Sequence, residues 1–205
     1  MEKISTKLAR PIIIEFVTGP SAGKSTTSFG LAYKFKLAGV NIEYLPEYAK
    51  LLTWRGDFQS LSLQIHVTTE QIRGLYDLSR KENDLKVIIS DTSMLLGIIY
   101  KYVWLDGVKY LGLGSGDLFD QWIKSIYSEF DIRTYYLKRD LSSHSYNEKG
   151  RTQSLEESLE YDERIYDMLI EHQIPFTELE YTGDTGVQAL FETIMQDLKD
   201  SGKIK

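Results

Sequence analysis

A short segment near the N-terminus constrains the fold of this chain more than any other. Residues 11–17, PIIIEFV, form an apolar run rich in β-branched residues, which predicts a buried strand. The glycine-containing segment 18–23, TGPSAG, comes next, and residues 24–38 have helical spacing that ends at Gly39. A strand, a glycine-containing turn and a helix in direct succession predict the first unit of an α/β domain.

The turn matches a phosphate-binding pattern in which one residue is displaced. The pattern G-x-x-x-x-G-K-[ST], known as Walker A, requires glycine at position 18. This chain has Thr18 there, and the glycine is Gly19. The helix that follows offers free N–H groups and the positive end of its dipole. Because the sequence GKS is intact at residues 23–25, we predict that the loop binds the phosphates of a nucleoside triphosphate.

Each polar position after the turn has an expected role in binding that triphosphate. Gly23 lets the backbone approach the phosphates without a Cβ clash. The Lys24 ammonium is expected between the terminal two phosphates. The Ser25 hydroxyl is expected to be a ligand for Mg²⁺, and the Thr26 hydroxyl is expected to contact the α-phosphate.

Composition limits the class of protein and its location. A chain of 205 residues suits one domain, which we place at residues 1–205. It has no cysteine, so disulfides and thiolate metal sites are excluded. No apolar run approaches the roughly 20 residues of a membrane helix, and the N-terminus lacks a signal-peptide layout. We therefore expect a cytoplasmic protein with no membrane partner. The net charge of −6 argues against a protein that coats nucleic acid, although a local basic site is compatible with it.

Five predicted strands alternate with helices along the chain. The predicted strands are residues 11–17, 40–45, 86–91, 132–138 and 174–180. Helices are predicted at 24–38, from Pro46 onward, and at 60–82, 92–105, 118–129, 154–172 and 185–199. Such alternation predicts a three-layer α/β sandwich with a five-stranded parallel sheet covered by helices on both faces.

Two acidic residues follow predicted strands. Asp91 ends the run VIISD, at the strand terminus where open α/β sheets bind their ligands. It is a candidate to hold Mg²⁺ beside Ser25 or to accept a proton from an attacking hydroxyl, and a helix cap is the alternative role. Glu47, in YLPEYA, would face the loop across the crevice and orient or deprotonate a substrate hydroxyl. A first-turn glutamate favoured by the helix dipole is the alternative for Glu47.

A polar segment at about 138–153 lies between a predicted strand and a predicted helix. A mobile lid is expected at this place, because phosphoryl transfer needs cations on the migrating group and exclusion of water. Arg139 and Arg151 are the strongest candidates, since arginine makes bidentate phosphate contacts, and Lys149 is weaker. A solvated loop with incidental charge is the alternative.

Taken together, the motifs resemble those of one family. The segments TGPSAGKST, EYLPEYAK, VIISDTSML, YYLKRD, EKGR and YTGD occur in this order. They are similar to the small P-loop kinases related to the nicotinamide riboside kinase domain, a group also described as AAA-like. The resemblance covers about residues 12–198, and it departs at the lid, where EKGR replaces the family's Asp-Gly-x-Arg run.

The resemblance implies a fold, two cofactors and a set of site residues. It implies a sheet of nucleoside-kinase type, in which the strand before Asp91 lies next to the first strand, with ATP as donor and Mg²⁺ as cofactor. It places Glu47 and Asp91 at acidic substrate or metal positions, and Arg139 and Arg151 on the lid. Gly183 and Asp184 fall in a loop near the adenine. The implied phosphate-binding residues are Gly19, Pro20, Ser21, Ala22, Gly23, Lys24, Ser25 and Thr26.

The favoured function is an ATP-dependent kinase that phosphorylates a hydroxyl of a nucleoside-like molecule. One alternative is a kinase acting on a nucleotide or a hydroxymethylated base in DNA. The predicted helix 60–82 and the glycine-rich loop 106–117 would then frame the entrance through which this larger acceptor reaches the site. Tyr100, Tyr102, Trp104 and Tyr110 would then stack on bases. A second alternative is an NTPase switch without an acceptor. Thr92, which occupies the position after Asp91 where many ATPases have a catalytic glutamate, favours the kinase.

Overall fold

A parallel five-stranded sheet forms the centre of the molecule. The computed structural model describes residues 10–100, 116–139, 154–180 and 183–204. The strand order is β2-β3-β1-β4-β5, and every neighbouring pair is parallel. This confirms the predicted sheet, with β3 beside β1. The strands are β1 (Ile12–Val17), β2 (Ile42–Leu45), β3 (Val87–Ser90), β4 (Asp131–Lys138) and β5 (Phe176–Glu180).

Helices connect the strands and cover the sheet. None of the described helices is both long enough and apolar enough to span a membrane. A 3₁₀ turn at Lys81–Asn83 precedes β3. The α-helices within the described ranges are α1 (Lys24–Leu37), α2 (Tyr48–Arg55), α3 (Phe58–Ser62), α4 (Gln64–Leu78), α5 (Leu96–Tyr100), α6 (Gly116–Tyr127), α7 (Leu155–Glu171) and α8 (Asp184–Asp200).

Alternating side chains of β1 divide the core into two halves. Ile12, Ile14 and Phe16 pack on one face of the sheet, where α1 and α8 lie. Ile13 and Val17 pack on the other face, with α4, α5, α6 and α7. The near-continuous apolar sequence of the strand is needed because helices exclude water from both faces. The arrangement is the predicted three-layer sandwich.

The prediction of one long helix at 60–82 is wrong, because the helix is interrupted at Leu63. The Leu63 backbone has φ −88° and ψ 84°, which ends α3 and precedes α4. The helical region also begins earlier than predicted, since the Asp57 carboxylate accepts a hydrogen bond from the Ser60 N–H at 3.0 Å and caps α3. The helix predicted at 92–105 begins later, at Leu96, and residues 101–105 lie outside the described ranges.

A buried carboxyl group lies in the middle of β1. Glu15 is 0% exposed and is level with Ser90 of β3 and Thr134 of β4. Its Oε1 accepts hydrogen bonds from Ser93 Oγ at 2.8 Å and Thr134 Oγ1 at 2.9 Å. Burial raises the pKa of Glu15 to about 7, and these hydrogen bonds only partly oppose that rise. Glu15 is therefore protonated in the folded protein at mildly acidic pH.

We predict that Glu15 makes the stability of the fold fall as the pH rises from about 4.5 to about 7. In this range the unfolded chain ionises Glu15 before the folded chain does, so ionisation favours unfolding. Glu15→Gln removes this dependence. As the pH rises through this range, the variant should become more stable relative to the wild type, by up to about 3 kcal/mol in free energy of unfolding.

Urea denaturation between pH 4.5 and pH 8 measures this difference. Glu171→Gln, which changes an exposed glutamate on α7, is the matched control and should give a constant difference. Parallel stability curves for Glu15→Gln and the wild type would show that Glu15 does not titrate in this range.

Candidate active site

The phosphate loop joins β1 to α1 at the carboxyl edge of the sheet. Gly23 is the N-cap of α1 and has φ 92°, a conformation that favours glycine. Ser21 also has a positive φ, of 64°, whereas Thr18 does not adopt one. The backbone therefore does not require glycine at position 18, which explains how the chain departs from the usual pattern there.

Glycine is needed one residue later, because α7 packs against the loop. A Cβ atom at Gly19 would lie 2.6 Å from the Ser158 carbonyl oxygen and 2.7 Å from Asp162 Oδ1. Both distances are shorter than a carbon–oxygen contact allows. The displaced glycine of the motif thus marks the place where the loop touches a neighbouring helix.

A buried ion pair holds the start of the loop. Asp162 Oδ1 accepts hydrogen bonds from Thr18 Oγ1 at 2.7 Å and from the Gly19 N–H at 2.5 Å. Its other oxygen, Oδ2, accepts from Arg139 Nε at 2.8 Å. Arg139 Nη2 also donates to the Pro20 carbonyl at 2.7 Å and to Ser158 Oγ at 2.6 Å. We call Arg139, Ser158 and Asp162 the loop clamp.

Asp162 and Ser158 were not among the residues predicted from the sequence. A signal for them exists in α7, where buried positions recur with helical spacing at Tyr161, Ile165 and Leu169. Ser158 and Asp162 lie on this same buried face, and a buried aspartate needs a partner. The partner, Arg139, directly follows β4 and lies 23 residues earlier in the chain, and the sequence does not reveal that pairing.

Lys24, Ser25 and Asp91 meet at the N-terminus of α1. Lys24 Nζ donates to the Thr18 and Gly19 carbonyl oxygens at 2.8 and 2.9 Å. Ser25 Oγ donates to Asp91 Oδ2 at 2.7 Å, and Ser28 Oγ donates to Asp91 Oδ1 at 3.2 Å. Asp91 is 1% exposed, and α5 begins five residues after it. Asp91 therefore pairs with α1 hydroxyls and does not cap a helix.

The second acid lies beside this group, at the start of α2. The helix predicted from Pro46 onward begins at Tyr48, so the half-buried Glu47 directly precedes α2 and is not in its first turn. The pKa of Tyr44 is raised by burial and also by the negative charges of Asp91 and Glu47. Both carboxylates therefore lie close enough to Tyr44 to act on it electrostatically. Leu45 pairs with Ser90 in the sheet, so the residues that follow β2 and β3 emerge together.

Side chains of α4 fix the position of α2. Gln71 Oε1 accepts from the Tyr48 N–H at 3.2 Å, and Gln71 Nε2 donates to Ser90 Oγ at 3.2 Å. His66 Nε2 lies 3.1 Å from the Tyr48 hydroxyl. One helix thus contacts both the first residue of α2 and the last residue of β3. Sequence analysis did not identify Gln71, since nothing in a helical glutamine indicates its partners.

The other predicted site residues lie as follows. Lys138 ends β4 and pairs with Glu178, so the strand includes the first residue of the predicted lid. Arg139 is 8% exposed and belongs to the loop clamp, so it does not lie free on a lid in this structure. Asp184 begins α8, after Gly183 at its N-cap, and pairs with Lys34 at 3.1 Å. Lys149, Arg151, the lid residues 140–153 and the loop residues 101–115 lie outside the described ranges.

These features define a P-loop nucleotide-binding protein: a phosphate loop between β1 and α1, with an acid after the adjacent strand. The chain belongs to the AAA domain family, whose profile matches residues 14–186. This confirms the expected AAA-like P-loop family, while the closer resemblance to nicotinamide riboside kinases stays a prediction. A comparison with curated proteins gave no match.

Solved structures with the same fold include a deoxyadenosine kinase. The enzyme from M. mycoides with bound dATP has a TM-score of 0.53 and 20% identity, over 91% of this chain and 99% of that one. The same kinase with the products dCMP and a flexible dCDP has a TM-score of 0.52 and 18% identity, over 92% and 99% of the two chains. At this identity the likeness establishes the fold.

We predict that the loop clamp keeps the phosphate loop in a binding-competent shape. Asp162→Ala leaves Arg139 and the Gly19 N–H without their acceptor, so it should lower the free energy of unfolding by about 3 kcal/mol. Nucleotide affinity should fall as well. Asp162→Asn retains an acceptor oxygen and should have a smaller effect on both quantities.

Urea denaturation and titration with ADP measure the two effects. Asp167→Ala, at an exposed position on the same helix, is the control and should change stability by less than about 0.5 kcal/mol. If Asp162→Ala binds ADP as tightly as the wild type, the clamp supports the fold without shaping the loop.

Proposed function

We propose that this protein is an ATP-dependent kinase that transfers the γ-phosphate of Mg-ATP to a hydroxyl group of a nucleoside-like acceptor. The central observation is the meeting of a phosphate loop with acids from two other segments. Ser25 at the N-terminus of α1 bonds to Asp91 after β3, and Glu47 lies beside them at the start of α2. This arrangement supports a site in which donor-binding groups and a candidate base act together.

The fold supports a nucleoside-like acceptor. The deoxyadenosine kinase from M. mycoides shares the fold over nearly its whole length and has been solved with dATP and with dCMP and dCDP. The acceptor side of the present site contains Glu47, Tyr48 and His66, which combine a carboxylate with ring side chains. A carboxylate orients a hydroxyl group, and an aromatic ring packs against a flat base.

The residues present suit a magnesium ion. Mg²⁺ prefers hard oxygen ligands and takes one or two from the protein, the rest coming from water and phosphate. Ser25 Oγ and Asp91 Oδ2, which are 2.7 Å apart, offer such oxygens at the end of the loop. These two residues would hold the ion, which supplies charge neutralisation on the phosphates.

The remaining residues have defined tasks in the proposed reaction. The backbone N–H groups of residues 19–26 and the Lys24 ammonium bind the phosphate chain. Asp91 or Glu47 accepts the proton of the attacking hydroxyl. Gly183 and Asp184 are proposed near the adenine, and Arg151 is proposed to close over the transferred group. Arg139 acts through the loop clamp, because its hydrogen bonds go to Asp162, Ser158 and the Pro20 carbonyl.

An acceptor screen with labelled ATP tests the proposal. Nucleosides, nicotinamide riboside, mononucleotides and hydroxymethyl-bearing DNA are compared in the presence of Mg²⁺. Transfer of label to a nucleoside supports the proposal. Transfer to DNA, with affinity that falls steeply with salt, would replace it with the alternative acceptor. ATP hydrolysis that no acceptor stimulates and a partner protein accelerates would instead indicate an NTPase switch.

We predict that Lys24→Ala lowers turnover by about 10²-fold or more while the protein stays folded. The substitution deletes an ammonium that neutralises transition-state charge. Lys24 donates hydrogen bonds to two loop carbonyls and is not among the buried core residues. Steady-state kinetics and circular dichroism on the same sample measure both parts. Turnover at the wild-type level would show that the loop does not bind the transferred phosphate.

We predict that Asp91→Asn lowers turnover by about 10²-fold or more, because the variant has a weaker ligand for Mg²⁺ and no base at this position. Glu47→Gln is measured in parallel. Normal turnover of Asp91→Asn with a loss in Glu47→Gln would assign the base to Glu47 and leave Asp91 a structural partner of Ser25.

A further inference from the structure

Besides Lys24, a second lysine, which lies on α2, contacts a residue of the candidate magnesium site. Lys50 lies in the first turn of α2, three residues after Glu47, and is half-buried. Its Nζ donates to Ser25 Oγ at 3.4 Å, and Ser25 Oγ in turn donates to Asp91 Oδ2. Lys50 therefore reaches from the acceptor side of the crevice to the hydroxyl that ends the phosphate loop.

Helix stability does not explain a lysine at this position. The first turn of a helix carries the positive end of the dipole, so a cation there is unfavourable and an anion is favourable. The first turn of α2 contains no acidic residue. A neutral hydroxyl is also a weaker partner for an ammonium than an anion would be. Lys50 thus has an unfavourable helix position and a weak partner, and a phosphate group would improve its environment.

The negative charges of the proposed site also favour a further cation that would neutralise them. Asp91 and Glu47 bring two negative charges to the crevice, and an incoming triphosphate adds more. Arg139, which sequence analysis assigned to the transferred group, is held by Asp162 and the Pro20 carbonyl. Lys24 contacts the beginning of the loop, through the Thr18 and Gly19 carbonyls. Lys50 is placed at its other end, beside Ser25.

We infer that Lys50 is a catalytic residue of the proposed kinase and binds the γ-phosphate of ATP during its transfer. The inference rests on the proposed function. In the reaction, a bond forms between the acceptor oxygen and the γ-phosphorus, and the bond between that phosphorus and the β,γ-bridging oxygen breaks. The acceptor proton passes to the Asp91 or Glu47 carboxylate, and ADP leaves. The Lys50 ammonium stabilises charge on the migrating group.

Binding measurements without turnover test the contact. Dissociation constants are determined for ADP and for a non-hydrolysable ATP analogue, with Mg²⁺, on the wild type and on Lys50→Ala. A γ-phosphate contact predicts that Lys50→Ala weakens binding of the analogue by about 10-fold or more and changes ADP binding by less than about twofold. Lys50→Arg should restore part of the analogue affinity. Equal effects on both nucleotides, or none, would overturn the inference.

A matched control and a kinetic measurement separate this inference from the proposed function. Arg55→Ala removes an exposed cation from the last turn of the same helix and should change neither dissociation constant. With the best acceptor from the screen, Lys50→Ala should lower kcat by about 10²-fold with little change in KM for the acceptor. An effect mainly on KM for a phosphorylated acceptor would place Lys50 on the acceptor and overturn the inference. If no acceptor is phosphorylated by the wild type, the kinase proposal fails, while loss of analogue binding in Lys50→Ala would still establish the γ-phosphate contact.

Discussion

The position of β1 between β3 and β4 determines which groups meet in this protein. Pairing with β3 places the residue after that strand, Asp91, beside the N-terminus of α1. Pairing with β4 places Arg139, the residue after that strand, against the loop that leaves β1. Because parallel strands end at the same edge of the sheet, both side chains reach the phosphate loop. The site is therefore a consequence of strand order.

The loop is held by charge as well as by the backbone. In the loop clamp the Asp162 carboxylate accepts a hydrogen bond from the Gly19 N–H, and the positive charge of Arg139 neutralises that carboxylate within the protein. An unbalanced negative charge there would oppose the triphosphate that we propose to bind, so the pair lets α7 anchor the loop without repelling that ligand. The same arrangement explains why the glycine is at position 19 and not at the expected position 18, since α7 leaves no room for a side chain at position 19.

Much of the fold could be predicted because its signals are local. The apolar run before Thr18, the GKS sequence and the alternation of strands and helices each depend on neighbouring residues. The break at Leu63 was missed because the residues around it keep a helical apolar spacing on both sides. The clamp role of Arg139 was also missed. An arginine after a strand has the same sequence signature whether it binds phosphate or pairs with an aspartate more than 20 residues away.

The sequence by itself determined the phosphate loop, the parallel sheet and the two strand-terminal acids, because short-range periodicity and backbone preferences specify them. Tertiary structure decided which partners these groups have. In the folded protein Ser25 donates to Asp91, Arg139 pairs with Asp162, and Lys50 contacts Ser25 at the end of the loop. These contacts link residues that are 23 to 66 positions apart. The pairing of β1 with β3 creates the first, and the positions of α7 and α2 create the other two. No local pattern encodes such packing, since each side chain has many alternatives until the helices are in place.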